Sequence, residues 1–145
     1  IYSGSLSHNY DVLTVVAAAE RAAHEFGPSV EFFISGTGDL ATKVRDTVAE
    51  KNLRHVNVLG FMDFPEYVYL LSQCDAGFNA AFRDALIYLP NKVFYYFAAG
   101  LAVLNTIPGE CASIIAENKC GLDYVAGDSE SCMEAIRSVV TNPQR

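Results

Sequence analysis

The sequence predicts an α/β fold, a doubly wound, Rossmann-like parallel sheet with helices on both faces. Three observations predict it. Short apolar runs alternate with longer segments of helical period along the whole chain. Glycine turns recur where a run gives way to a helix, at Gly4-Ser5, Gly36-Thr37-Gly38 and Gly60-Phe61. The 145 residues, 51% of them hydrophobic, suit one domain with a sizeable core. Strands alternating with helices imply parallel pairing with both faces covered. The right-handed crossover rule then leaves the doubly wound sheet as the economical topology.

Ile1–Leu6 reads as strand one, followed by the small-residue turn Gly4-Ser5-Leu6-Ser7. Asp11 is placed to cap helix one, which carries Val12, Val15, Val16, Ala19 and Ala23 on one face and stops at Gly27-Pro28. Val30–Ser35 is strand two. Gly36-Thr37-Gly38 turns into helix two, with Leu40, Val44 and Val48 four residues apart. His55–Leu59 is strand three. Asp63, Pro65 and Glu66 have the form of a helix start, with Tyr67, Leu70, Leu71 and Cys74 facing inward. Ala76–Ala80 is strand four, and 81–89 has no clean period and reads as loop.

The stretch Leu89–Gly100, LPNKVFYYFAAG, reads as a loop turning into a helix with Val93, Phe94, Phe97 and Ala98 on its apolar face, ended by Gly100. Leu101–Leu104 is a buried strand five. A helix follows Asn105, Pro108 and Gly109, with Cys111, Ile114 and Ile115 inward. Gly121–Val125 is the last strand, and Asp128 caps a last helix bearing Cys132, Ile136 and Val139.

Ligands of such sheets bind beyond the carboxyl ends of the strands. That directs attention to Gly4–Asn9, Ser35–Gly38, Gly60–Met62, residues 81–92 and Asn105–Glu110. There Asn91, Lys92 and the first-turn amides of a helix offer N–H groups and one charge to an anion. The chain opens on Ile1 already inside a predicted strand, and so reads as a piece of a longer protein, its C-terminal half.

Composition excludes several classes. A net charge of −7 without any Lys/Arg cluster argues against a nucleic-acid surface. Cys74, Cys111, Cys120 and Cys132 form no C-x-x-C pair and sit among apolar residues, which points to reduced core thiols, a cytoplasmic setting and no zinc site. No run approaches the roughly 18 apolar residues of a spanning helix, and no signal peptide is visible.

Gly36-x-Gly38-x-x-Ala41 has the form of a dinucleotide fingerprint, but it follows strand two. The segment after strand three reads Gly60-Phe61-Met62 where a ribose-binding acid would fall. NAD is therefore not expected. A tight turn, and a turn that lets a phosphate or sugar approach the backbone, both stay open. His8, in the first ligand-side loop, is a candidate phosphate contact. Asp84 and Glu110 also lie in ligand-side loops. No Ser/His/Asp set, carboxylate pair or metal cluster assembles, so the catalytic residues are unassigned and no metal is expected.

Three stretches resemble the C-terminal, donor-binding half of GT-B glycosyltransferases of the family 4 type. YSGSLSHNYDVLTVVAAA is similar to the first strand and turn, FFISGTGDL to the second strand with its G-x-G turn, and LPNKVFYYFAAGLAVLNTIPGE to the signature region. The resemblance implies one half of a two-domain GT-B fold, with a nucleotide diphosphate sugar as the donor substrate and no further cofactor. It implies transfer with retention and without a bound metal, to a cell-surface polysaccharide or lipid-linked acceptor. The acceptor would be held by an N-terminal domain of the same full-length chain, in the cytoplasm or at the inner face of the membrane. By the same resemblance Gly4 and Ser5 approach the donor phosphates, although the family often has Arg or Lys in this first turn region, where the chain reads Ser7-His8-Asn9-Tyr10. Gly36 and Gly38 line the nucleotide side, Phe61 and Met62 flank the base, and Asn91 and Lys92 hold the diphosphate. The family's two acids, eight residues apart, fall here on Ile87 and Tyr95. This departure leaves a second reading open, a non-catalytic nucleotide-binding or scaffolding domain. A GT-B epimerase is a third.

Overall fold

The computed structural model describes residues 1–142. Its strands are β1 (Tyr2–Ser3), β2 (Phe32–Ser35), β3 (Val56–Gly60), β4 (Ala76–Asn79), β5 (Ala102–Asn105) and β6 (Gly121–Asp123). They form one sheet in the order β3-β2-β1-β4-β5-β6, and every pairing is parallel. The helices between them are α1 (Val12–Phe26), α2 (Ala41–Glu50), α3 (Phe64–Ser72), α4 (Asn91–Ala99), α5 (Glu110–Asn118) and α6 (Ser129–Thr141). The expected doubly wound sheet is therefore the fold.

Each strand turns alternate residues to opposite faces, so the sheet carries two cores. Tyr2, Ile34, Phe78 and Leu104 meet α1, α2 and α6 through Val12, Val16, Val44, Met133 and Ile136. Ile1 and Val103 face the other way, toward α3, α4 and α5 through Leu71, Val93, Tyr96, Cys111 and Ile115. Burying one large aliphatic or aromatic side chain contributes about 1.5–3 kcal/mol, so these two layers dominate the stability.

Two predicted caps form. The Asp63 carboxylate accepts from the Glu66 N–H at 3.0 Å, and that of Asp128 accepts from the Glu130 and Ser131 N–H groups at 2.9 and 3.1 Å. Asp11 departs from the expectation. It precedes α1 but caps none of its amides. It is buried, and its carboxylate accepts from the Thr14 hydroxyl and, across the molecule, from the Gly127 N–H at 2.7 Å. Burial pushes this carboxyl up, against the pull of those two donors.

Helix α4 is rotated from its predicted face. Val93 and Tyr96 are fully buried, whereas Phe94 is exposed and Ala98 faces solvent. The reason is crowding at the sheet: the Tyr96 ring lies flush on β4, where a Cβ on Gly77 would approach it to 2.6 Å. On α1 the buried small residue is Ala22 rather than Ala23. Segment 81–89 is loop as expected, with one short 3-10 turn at Arg83–Ala85.

Candidate functional site

All six strands point the same way, so their carboxyl ends share one edge. The strand order reverses between β1 and β4, and a crevice opens at such a reversal. Three segments converge there: the turn after β1, the long loop after β4, and the start of α4.

The turn after β1 is held rigidly. The Gly4 N–H donates to the Ser35 carbonyl at 3.0 Å, and the Leu6 N–H to the Thr37 carbonyl at 2.8 Å. The Tyr2 hydroxyl donates to the Ser5 carbonyl at 2.7 Å. On the neighbouring turn, Gly36 (φ 145°) and Gly38 (φ 154°) lie directly against the backbone of Gly4 and Leu6, leaving no room for a Cβ. The Gly-x-Gly spacing after β2 thus has a cause inside the fold: two loops cross in contact. It also keeps that edge free of side chains. The Gly36 N–H donates in turn to the Gly60 carbonyl at 2.7 Å, so the first three loops form one hydrogen-bonded edge.

Lys92 closes the crevice from the α4 side. Its residue is partly accessible, but its Nζ is buried and finds no hydrogen-bond partner. The amine sits 4.3 Å from the centre of the Tyr2 ring and 5.1 Å from that of Tyr10. A Cβ on Gly4 would lie 3.7 Å from Nζ, so amine and turn are adjacent. Burial drives the amine down from its ordinary range to about 7, and no neighbouring charge opposes this. The aromatic faces favour an ammonium, which recovers only part of the lost hydration. A buried amine without a hydrogen-bond partner thus lies beside a bare backbone turn.

The other sequence candidates lie around this point. Ser5 and Asn91 are exposed on the same edge. His8 is exposed and faces Asp39 at 3.2 Å, bridging the loops after β1 and β2. Phe61 is 80% exposed, and with Met62 it borders a groove of about 420 Å³ that also touches Phe33, Leu59 and Tyr69. This groove is farther along the edge and includes neither Gly4 nor Lys92. Tyr95 is 42% exposed, one turn beyond Lys92, and stacks edge-on against Phe64 and Tyr67 at 5.7 and 5.9 Å. Ile87 is partly buried in the loop before α4. The structure therefore brings Gly4, Ser5 and Lys92 together, and sets Phe61 and Met62 apart.

Sequence reasoning missed the tyrosines. Tyr2 and Tyr10 flank the first turn, and their spacing around Gly4 was the available signal. Ser3, Tyr67 and Tyr96 had none. The Tyr96 hydroxyl meets the Ser3 Oγ at 2.9 Å and accepts from the Ser3 N–H at 3.2 Å, while Ser3 Oγ also meets the Tyr67 hydroxyl at 2.9 Å. This network ties α3 and α4 to the end of β1 and so fixes Lys92 relative to Gly4.

A parallel sheet of this kind, its strand order reversing between β1 and β4, defines the doubly wound, Rossmann-like class of α/β domain. The family description "Glycosyl transferases group 1" matches residues 1–142, and the chain belongs to that family. Solved structures agree in fold. The pneumococcal O-GlcNAc transferase GtfA, in complex with UDP and GlcNAc, superposes with a TM-score of 0.80 at 14% identity, over 99% of this chain and 29% of that one. The C-terminal domain of the glycosyl transferase group 1 family protein LpcC from Francisella tularensis gives 0.83 at 15% identity, over 98% of this chain and 75% of that one. WaaG, a glycosyltransferase involved in lipopolysaccharide biosynthesis, gives 0.79 at 19% identity, over 98% and 38%. The chain thus spans under two fifths of GtfA and WaaG, and corresponds to one half of the GT-B fold. No curated protein matches it.

Proposed function

We propose that this chain is the donor domain of a glycosyltransferase of the family 4 type, binding a nucleotide diphosphate sugar whose sugar passes to a cell-surface polysaccharide or lipid-linked acceptor. The observation that carries this reading is the Lys92 amine, buried without a partner beside the Gly4 turn at the strand reversal. The diphosphate lies between the backbone of Gly4-Ser5 and the start of α4, with Asn91 and Lys92 as its clamp and His8 within the same loop. Gly36 and Gly38 give the nucleotide a bare backbone to lie on, and Phe61 and Met62 offer the base an apolar rim. As the glycosidic bond breaks, the leaving diphosphate gains negative charge, and the preorganised helix amides, with the Lys92 amine protonated in the complex, stabilise it. Retention, independence of metal and the absence of any further cofactor belong to the same proposal. So do an N-terminal acceptor domain in the full-length protein and a place in the cytoplasm, at the membrane's inner face. No helix among the described residues is long and apolar enough to cross a membrane.

Calorimetric titration with UDP, GDP and ADP tests the reading. The chain binds at least one of them, and Lys92→Ala weakens that binding without unfolding the domain. Absence of binding by all three overturns the proposal, as does equal affinity in the variant. The 145-residue chain alone does not transfer sugar, because catalysis needs donor and acceptor held together.

Ile87 and Tyr95, standing where the family's acids would be, favour a second reading: a domain that binds nucleotide without chemistry. The full-length protein distinguishes the two, since the second binds donor yet neither transfers nor hydrolyses it.

A further inference from the structure

Lys92 holds its amine in an unusual place. Its Nζ is dry and lacks a hydrogen-bond partner, and two aromatic rings cover it. An ammonium in such a place has lost its hydration shell without gaining an anion. The rings that face it belong to two tyrosines. From β1 comes Tyr2, whose hydroxyl is spent on the Ser5 carbonyl and is held protonated by burial. From the loop before α1 comes the Tyr10 ring. The titratable side chains of those segments have other partners: Asp11 meets Thr14 and Gly127, and His8 meets Asp39.

We propose that Tyr2 and Tyr10 are positioning residues that store Lys92 as an uncharged amine, and that a diphosphate arriving at the Gly4 turn binds together with one proton. The inference rests on the donor-domain reading and extends it to the charge state of the site. The step is a simple protonation. The amine nitrogen takes H⁺ from solvent or buffer and becomes –NH3⁺, and no other bond forms or breaks. The arriving phosphate oxygens supply the anionic partner that the cage lacks, so the charged form is favoured only once the ligand is in place. Above about pH 7 the unliganded domain therefore keeps an uncharged amine beside the Gly4 turn, and the ligand creates its own counter-charge.

The linkage has a definite sign. Above the pH at which the free amine releases its proton, which is about 7, binding must take one up, so affinity falls as pH rises. Well below that pH the amine is already charged, and uptake vanishes. The terminal phosphate of UDP or GDP ionises near pH 6, so it is constant over the range that matters.

The test is calorimetry of UDP, GDP and ADP binding to the chain at pH 8.0 in HEPES and in Tris, two buffers of different ionisation enthalpy. The expected result is a difference in observed heat corresponding to uptake of about one proton per nucleotide bound, with affinity falling about tenfold per pH unit between pH 7.5 and 9. Lys92→Arg, whose guanidinium stays charged throughout, binds with no uptake. Tyr10→Leu opens the cage to water, so binding persists and uptake drops by more than half. A merely structural Tyr10 would leave uptake unchanged, and that result overturns its assignment. Binding by the parent chain with equal heats in both buffers overturns the proposal while leaving the donor-domain reading intact. Binding of none of UDP, GDP and ADP overturns both. The comparison of buffers on the parent chain decides the matter even if a variant fails to fold.

Discussion

A methyl group on Gly36 would run into the carbonyl oxygen of Gly4. The two residues come from adjacent loops that cross in contact at the ligand edge, and the close approach leaves room for hydrogen alone. Gly36→Ala should therefore cost at least about 3 kcal/mol, combining backbone strain with displacement of one loop. Gly100→Ala is the control. It also has positive φ, at 74°, but nothing lies within 4 Å of its Cβ position, so it should cost only about 1–2 kcal/mol. Urea denaturation of both variants checks this. Equal costs would mean that φ alone explains Gly36.

Tyr96→Phe keeps the ring that covers Gly77 but removes the hydroxyl shared with Ser3. The buried Ser3 N–H is then left without that acceptor, at a cost of about 1–3 kcal/mol. Tyr67→Phe should cost less, because Tyr67 is only partly buried and Ser3 Oγ keeps Tyr96. Thermal melts of the two variants should rank them in that order.

Lys92→Met should stabilise the unliganded domain at neutral pH, because it removes a buried amine without a partner. The pH dependence is distinctive. The folded amine releases its proton near 7 and the unfolded one near 10.4, so between these values the unfolded state binds more protons and stability rises with pH. The parent should therefore gain stability relative to Lys92→Met as pH rises from 7 to 9, by at most about 1.4 kcal/mol per unit. Denaturation curves of both proteins across that range give the difference directly. The buried Cys111 and Cys132 thiols, pushed up to about 11 and about 12, are common to both and cancel.

Tyr95→Glu should leave the domain folded, since Tyr95 is well exposed and packs only edge-on against Phe64 and Tyr67. If Tyr95 stands beside the ribose, a carboxylate accepts from both hydroxyls, and binding of a nucleotide diphosphate tightens about fivefold. Titration with UDP, GDP and ADP measures it. A folded variant that binds none of them more tightly removes Tyr95 from the ribose.

The sequence by itself determined the class of fold, because strand and helix periods are local properties of the chain. It also determined which loops share the ligand edge, since parallel strands all end on one side. The caps at Asp63 and Asp128 were legible for the same local reason. Tertiary structure alone decided the rest. The face of α4 depended on Gly77 admitting the Tyr96 ring, and residues 77 and 96 are neighbours only after β4 and α4 meet. Asp11 became a tie to Gly127 rather than a cap because α1 and α6 lie side by side. Lys92 read as a cation at a helix start on the strand-end edge, and only the structure encloses its amine between Tyr2 and Tyr10, some ninety and eighty residues away. Burial and partnership are long-range properties, and no period or spacing in the chain encodes them.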